Sequence, residues 1–313
     1  TLIKTKLVDP VSFYIHMDLV AEDSDIRSVV HDIARMKELR MNMTPQCVNA
    51  VLKASVKCRY GVSTATALCA QHVGEWYREL FDDVSWTLLI KLACNEEHIE
   101  VAERMFAELA ATQRRIEYKT WTSAVSGMMQ RWLRCRGNRN AYSLKVVELY
   151  NTSRALYSNE TPNRALLYPT ASAYARLGDE HGVHAMFGLL KQQGYAHRSR
   201  AQFESHYLAM RTRALFRSGF GQSAWQLVKL HDSEKELELF HVLIHECIRA
   251  KEYGVLVEVV SALESSGVET NQDTQRIMNF MIVRLAGVLR SFDSHFMDRI
   301  KAAMLTIGNK PTQ

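Results

Sequence analysis

The sequence predicts an all-α chain, an α-solenoid of about eight stacked antiparallel helix pairs, and three observations predict it. Apolar residues recur at helical spacing along nearly all of the 313 residues, and the strict alternation of a strand is almost absent. Two long segments, Val84 to Glu117 and Glu238 to Asn271, carry most of their apolar residues in the same places with no gap between them. Self-similarity at such a period marks an array of supersecondary units. Helix breakers are scarce, with five prolines and fourteen glycines in the whole chain, so the periodic segments can run as helices of about 12 to 18 residues.

The elements follow in order. Residues 1–23, with Pro10 and the acidic Glu22, Asp23 and Asp25, read as an N-terminal capping segment; residues 24–308 read as the helical repeats, and 309–313 as a tail. One-face spacing places helices at Ile26, Val29, Val30 and Ile33, then at Val48, Val51 and Leu52, and then at Leu88, Leu89 and Leu92. It does the same at Met105, Phe106 and Leu109, and at Phe240, Leu243, Ile244, Cys247 and Ile248. Short polar or glycine-bearing breaks separate the paired helices at 59–61, 95–98, 136–138, 177–179, 218–220 and 250–252, as helix ends followed by tight turns require. Taking one apolar anchor from each second helix, Val30, Phe106, Phe187 and Val260 stand 76, 81 and 73 residues apart, with Cys69, Val147 and Leu227 roughly midway. The unit is therefore near 34 to 42 residues. A lone helix pair cannot bury its apolar face, so neighbours must stack in sequence order.

Composition bounds function by exclusion. The chain is 47% apolar and 23% charged, ordinary for a globular protein. Its apolar runs are too short for a membrane span. The six cysteines, Cys47, Cys58, Cys69, Cys94, Cys135 and Cys247, include no Cys-x-x-Cys pair and read as small buried hydrophobes in a reducing compartment. No phosphate-binding Gly-rich loop with its lysine occurs, and Gly219-Phe220-Gly221 lacks the strand that a dinucleotide fingerprint needs. His181 with His184, and His241 with His245, have helix-face spacing but no glutamate in register and no cysteine pair beside them. Catalysis, cofactors, metals and small-molecule substrates are accordingly not expected.

The stretch Val84 to Leu109 resembles the pentatricopeptide pattern. Trp86 and Thr87 take its aromatic and polar places in the first helix, and Ala102, Met105, Phe106 and Leu109 its second-helix places. Gln193-Gly194-Tyr195 and the segment from Ser266 to Asn271 look like that family's linker without its proline. Tetratricopeptide units share the length but usually end in proline, which is scarce here. The resemblance implies RNA: in the family each unit reads one base with a polar side chain early in the first helix and the last residue of the linker. The matching first-helix places carry Asn49, Thr87 and Thr122, and after them Pro169, Phe203 or Glu204, His241 and Arg276; the linker partners fall near Thr44, Asp83 and Glu117. Only the first three are suitable polar types, so contact with phosphate and with neighbouring proteins is expected over long base-by-base readout.

Charge points the same way. The net charge is +5, and basic residues gather in two places. Arg131, Trp132, Arg134, Arg136 and Arg139 form one cluster; His197, Arg198, Arg200, Arg211, Arg213 and Arg217 form the other. Guanidinium forks suit phosphate, and an indole offers a stacking face. The resemblance implies a scaffold within a mitochondrial ribonucleoprotein, a component of the mitochondrial ribosome or a factor in its assembly, that touches ribosomal RNA and neighbouring proteins. An RNA processing, editing or stability factor, or a pure protein scaffold, is the alternative. A matrix location is implied by the same resemblance; the chain begins at Thr1 rather than Met, and a presequence either removed or left out of this sequence is expected.

Overall fold

Polar caps begin the helices and left-handed turns end them, and these two devices set the architecture. A computed structural model of the chain describes residues 9–96, 99–111, 116–135, 137–198, 200–230 and 237–266, together with 274, 276 and 277. Among them the helices are α1 (Pro10–Glu22), α2 (Ile26–Glu38), α3 (Pro45–Lys57), α4 (Val62–His72), α5 (Asp83–Asn95), α6 (Ile99–Ala111), α7 (Tyr118–Arg134) and α8 (Arg139–Leu156). The series continues with α9 (Arg164–Leu177), α10 (Glu180–Gln192), the short α11 (Tyr195–Arg198), α12 (Arg200–Arg217), α13 (Gly221–Leu230), α14 (Leu237–Ala250) and α15 (Tyr253–Ser265). A 3-10 turn, Glu75–Leu80, follows α4. The chain is an all-α helical-repeat protein, as its sequence predicts, with seven helix pairs among the described residues. The expected tail at 309–313 and the end of the second self-similar segment lie outside them.

First helices begin at Pro10, Pro45, Asp83, Tyr118, Arg164, Arg200 and Leu237, so successive units are 35, 38, 35, 46, 36 and 37 residues long. The long one contains α7 and α8, which run to 17 and 18 residues. The stretch expected to be a capping segment contains α1, which is itself the first helix of a pair and packs on both α2 and α3.

Helix starts are fixed by short acceptors that satisfy first-turn amides. Asp9, Asp25, Asp82 and Asp179 accept from Ser12, Ser28, Ser85 and Gly182 amides respectively. Within most pairs the first helix ends in one repeated turn. The residue after the C-cap adopts positive φ, and the next amide reaches back five residues, the Schellman arrangement. The positive-φ residues are Ser24 at 64°, Arg59 at 57°, Gly178 at 85°, Gly219 at 83° and Lys251 at 61°. The closing bonds include Tyr60 N to Ser55 O at 3.0 Å, Phe220 N to Leu215 O at 2.8 Å and Glu252 N to Cys247 O at 3.0 Å. In the 59–61 break the left-handed residue is Arg59, whereas Gly61 caps α4 in an extended conformation.

The chain divides into two compact units, residues 1–137 with 148–166, and residues 138–147 with 167–313. In the first, α1, α3, α5 and α7 pack side by side, with α2, α4 and α6 against them as second helices. Its core includes Met17, Ile33, Met36, Leu52, Leu89, Ile90, Leu92, Leu109, Met128 and Met129. Trp121 is buried there, donates from its indole to Ser153 Oγ at 3.0 Å, and has the Phe106 ring at 5.4 Å. In the second unit, Trp225, Phe240, Leu243, Ile244, Leu256, Val259 and Leu263 form a core cluster between α12, α13, α14 and α15. Equivalent residues of neighbouring repeats are bonded at almost constant separation. Cys58 Sγ donates to Ser24 O, Val62 N to Glu96 Oε1, Glu117 N to Asp83 Oδ2 and Trp225 Nε1 to Glu258 Oε2.

The second-helix anchors need a correction of one residue. Cys69, Phe187 and Val260 are buried, but Val30, Phe106, Val147 and Leu227 are only half-buried, while their neighbours Val29, Met105, Val146 and Val228 are at most 5% exposed. A helix of 3.6 residues per turn drifts against a strict repeat, so one fixed residue per unit cannot stay at the centre of the buried face.

Two stability outcomes follow, both read by chemical denaturation. Phe240→Ala is expected to cost about 3–5 kcal/mol through a core cavity, and Phe106→Ala only about 1–2 kcal/mol. Arg59→Gly is expected to stabilise the chain by about 1 kcal/mol, because glycine removes the Cβ strain of the left-handed turn.

Candidate nucleic-acid interface

The first-helix face of the first unit carries the polar residues singled out in the sequence. Asn49, half-buried on α3, is held from the next repeat. Its Nδ2 donates to Asp82 Oδ1 and Oδ2 at 3.2 and 3.1 Å, and its Oδ1 accepts from Ser85 Oγ at 2.6 Å. Asp82 and Ser85 are also the capping box of α5, in which the Ser85 amide donates to Asp82 Oδ1 at 2.8 Å. Asn49 therefore meets Asp82 at the start of the next repeat, while the Thr44 hydroxyl lies 3.9 Å from Cys47 Sγ. The same offset recurs at Thr122, which receives Asn163 Nδ2 at 3.4 Å. Thr122 and Thr87 are 2% and 8% exposed, and their hydroxyls donate to the Lys119 and Asp83 carbonyls of their own helices.

Two grooves run over this face. One, of about 480 Å³, is bordered by Tyr14, Asp18, Asn49, Lys53, Val84 and Lys91 among others. Part of its charge is neutralised within the fold. Lys53 reaches Asp18 at 2.6 Å and Glu22 at 2.7 Å, and Lys57 reaches Glu22 at 2.7 Å. Hydrogen bonds from Lys53 and then Lys57 hold the Glu22 carboxyl down at about 2. The second groove, of about 350 Å³, has a different chemistry: Lys91, Arg131 and Arg134 surround Ser123, Ser126 and Gln130. Lys91 and Arg134 are exposed. Trp132 takes no part in this face. It is 7% exposed, and its indole donates to Glu103 Oε1 at 2.9 Å, so its ring belongs to the core instead of offering a stacking surface. Arg136 lies outside the described residues.

The remaining predicted residues belong to the second unit and divide by partner. Arg139 and Arg200 are exposed, and the Arg198 side chain lies outside the described residues. Arg211 is engaged by Glu180, to which its Nε donates at 2.8 Å, and lies over the Tyr207 ring at 5.5 Å. Arg213 Nε donates to Glu246 Oε1 at 3.1 Å. Of the other first-helix places, Pro169 and Phe203 are buried, Glu204 and Arg276 are exposed, and His241 Nε2 lies 3.0 Å from Thr274 Oγ1.

The chemistry of the other singled-out residues is structural. No cysteine is in a disulfide. Burial pushes the Cys69 thiol up to about 12 and that of Cys94 up to about 11, so both are inert thiols at neutral pH. Burial also lowers His245, while His184 Nδ1 lies 2.6 Å from the Tyr207 hydroxyl. Among the described residues no group of three or more His, Cys, Asp or Glu side chains is placed to hold a metal ion, and no helix is long and apolar enough to cross a membrane.

The residues that sequence reasoning missed are Asp82, Asn163, Lys91, Arg176, Arg249 and Glu246. One signal was available. A basic residue falls in the last turn of several first helices, at Lys57, Arg134, Arg176, Arg217 and Arg249.

No family model matches the chain, and no curated protein sequence matches it. Among solved structures it is similar to that of the pentatricopeptide repeat protein PPR10 from maize, with a TM-score of 0.48 and 13% sequence identity over 95% of this chain. The likeness spans 42% of that protein's chain.

Two outcomes test this geometry. Asp82→Ala removes both the cap of α5 and the Asn49 contact, with an expected loss of about 1–2 kcal/mol in denaturant titration. The Glu22 carboxyl, followed by NMR, should titrate near about 2 and return toward its ordinary 4.5 in Lys53→Met. Because its folded value is depressed, its contribution to stability is present above the ordinary carboxylate value and lost as pH falls toward about 2.

Proposed function

We propose that the chain is a helical-repeat RNA-binding scaffold that holds single-stranded RNA along its first-helix face. The observation that carries this reading is the second groove of the first unit, where Lys91, Arg131 and Arg134 border a lining of serines and glutamine. A groove made for a partner helix would present apolar anchors at helical spacing; this one presents cations and hydroxyls, which suit phosphate and sugar oxygens. Asn49 with Asp82, and Thr122 with Asn163, add two places where a first-helix polar residue meets the residue that starts the next unit. That is the arrangement the pentatricopeptide resemblance implies for contact with a base. Two such places provide limited sequence preference, and most of the affinity is assigned to phosphate.

The wider setting we propose is a mitochondrial ribonucleoprotein, either the mitochondrial ribosome or an intermediate in its assembly, with ribosomal RNA and neighbouring proteins as partners. The support is the resemblance together with the sparse base-facing set, since a scaffold held by many neighbours need not read sequence. An organellar RNA processing, editing or stability factor is the second reading, favoured by the intact Asn49–Asp82 pair. Purified full chain is expected to bind an unstructured oligoribonucleotide, with log affinity falling linearly in log salt at about 0.7 per phosphate contacted. Absence of binding at low salt in fluorescence anisotropy would overturn the RNA reading. Co-purification of the native chain with ribosomal subunits, or without them, separates the two settings.

A further inference from the structure

The second unit gathers three guanidinium groups around one carboxylate. Glu246 on α14 is almost fully buried, its side chain 3% exposed, and three arginines converge on it. Arg213 Nε stands at 3.1 Å and Arg217 Nε at 3.9 Å, and Arg249 pairs with it closely from one turn along the same helix. Arg217 Nε is buried and makes no hydrogen bond among the described residues. Arg176 at the end of α9 feels the charge of Arg213, Arg139, Arg217 and Arg249. Burial first, and then repulsion from Arg213, Arg139, Arg217 and Arg249, lowers the affinity of Arg176 for its proton; burial does the same at Arg249.

The fold has no structural need for this accumulation. A cation at a helix C-terminus is favoured by the macrodipole, which accounts for a single arginine in the last turn of each of α9, α12 and α14. Arg213 and Arg217 lie four residues apart on α12, a spacing at which like charges repel. One carboxylate balances one guanidinium. All three nevertheless keep a quarter to a third of their side chains at the surface, at 30%, 24% and 35% exposed for Arg213, Arg217 and Arg249.

We propose that Arg213, Arg217 and Arg249 form a phosphate-binding site for the backbone of single-stranded RNA, with the buried Glu246 as the internal anion that orients the guanidinium forks. The site deepens the RNA reading above and rests on it. Guanidinium is planar, stays charged and offers paired donors, which match a phosphodiester better than any neutral ligand. An acidic protein segment is disfavoured because protein partners need apolar anchors at the centre of their contact. Among the described residues of this unit the exposed large apolar side chains, Leu144, Phe220 and Leu230, lie on none of α9, α12 and α14.

The test uses the full chain and a fluorescein-labelled oligouridylate, with affinity measured by anisotropy between about 50 and 200 mM salt. Arg217→Gln/Arg249→Gln is expected to weaken binding at least about tenfold and to lower the salt slope by about 1.4, two phosphates at about 0.7 each. A charge-matched control in the same unit, Lys191→Gln/Lys229→Gln, should stay close to the parent in both. If the arginine variant keeps the parent's slope and affinity, the site is wrong while the RNA reading stands. If the parent itself binds no RNA at low salt, the broader reading fails first. Displacement of the oligouridylate by polyglutamate but not by inorganic polyphosphate would overturn the proposal in favour of an acidic protein partner.

Discussion

No helix pair of this chain can bury its apolar faces alone, and the rest of the structure follows from that constraint. Within the first unit a first helix covers one side against the preceding repeat and the other against the next, so α3 touches α1, α2, α4 and α5. Burial of this kind stabilises by about 25 cal/mol per Å² of apolar surface, but only when neighbours arrive in the correct register. The bonds at 33 or 34 residues of separation, from Asn49 to Asp82 and from Val62 to Glu96, mark that register in polar groups where the core marks it in apolar ones. Polar pairing of this sort adds little net energy, about 0.5–1.5 kcal/mol per bond. Its larger effect is to make a slipped stack leave buried groups unsatisfied.

The same stacking decides where ligand chemistry can sit. Second helices and core residues are occupied by packing, which is why Trp132, Cys47, Cys69 and Cys247 serve the interior, whereas Cys58, Cys94 and Cys135, expected to be buried, are only half-buried. What remains is the outward face of the first helices, and there the two units differ. In the first, Lys53 and Lys57 are neutralised by Asp18 and Glu22 near one end, whereas Lys91 and Arg134 stand at the surface of the adjoining groove. In the second, a single buried carboxylate serves three guanidiniums. Formal net charge alone concealed this contrast, because it counts the neutralised lysines together with the surplus arginines.

Architecture was legible in the sequence because helical periodicity and turn residues are local signals. Val84 to Leu109 announced α5 and α6, and the breaks at 177–179, 218–220 and 250–252 coincide with observed turns. Registration was less legible. The anchors at Val30, Phe106, Val147 and Leu227 missed the buried centre by one residue, since a one-residue shift turns a side chain by about 100° on a helix. The site was legible only in its first partners. Asn49 could be found by its place in a motif, but Asp82 reads as an ordinary capping residue until the fold sets it against Asn49. Glu246 reads as one more acid on an amphipathic helix, and its position among three arginines is a property of α12 and α14 packed together.

The Asn49–Asp82–Ser85 network has one more consequence. The amide that faces the groove is tied to the group that starts α5, so a molecule that competes for the Asn49 hydrogens also perturbs the first turn of the following repeat. Occupancy at one repeat and the fraying of the next are then thermodynamically linked. A strand laid along the groove would stiffen or loosen the helices in sequence, like a zip whose teeth are caps. Protection of α5 amides from hydrogen exchange becomes a reporter of ligand at α3, one repeat away from the group that moved.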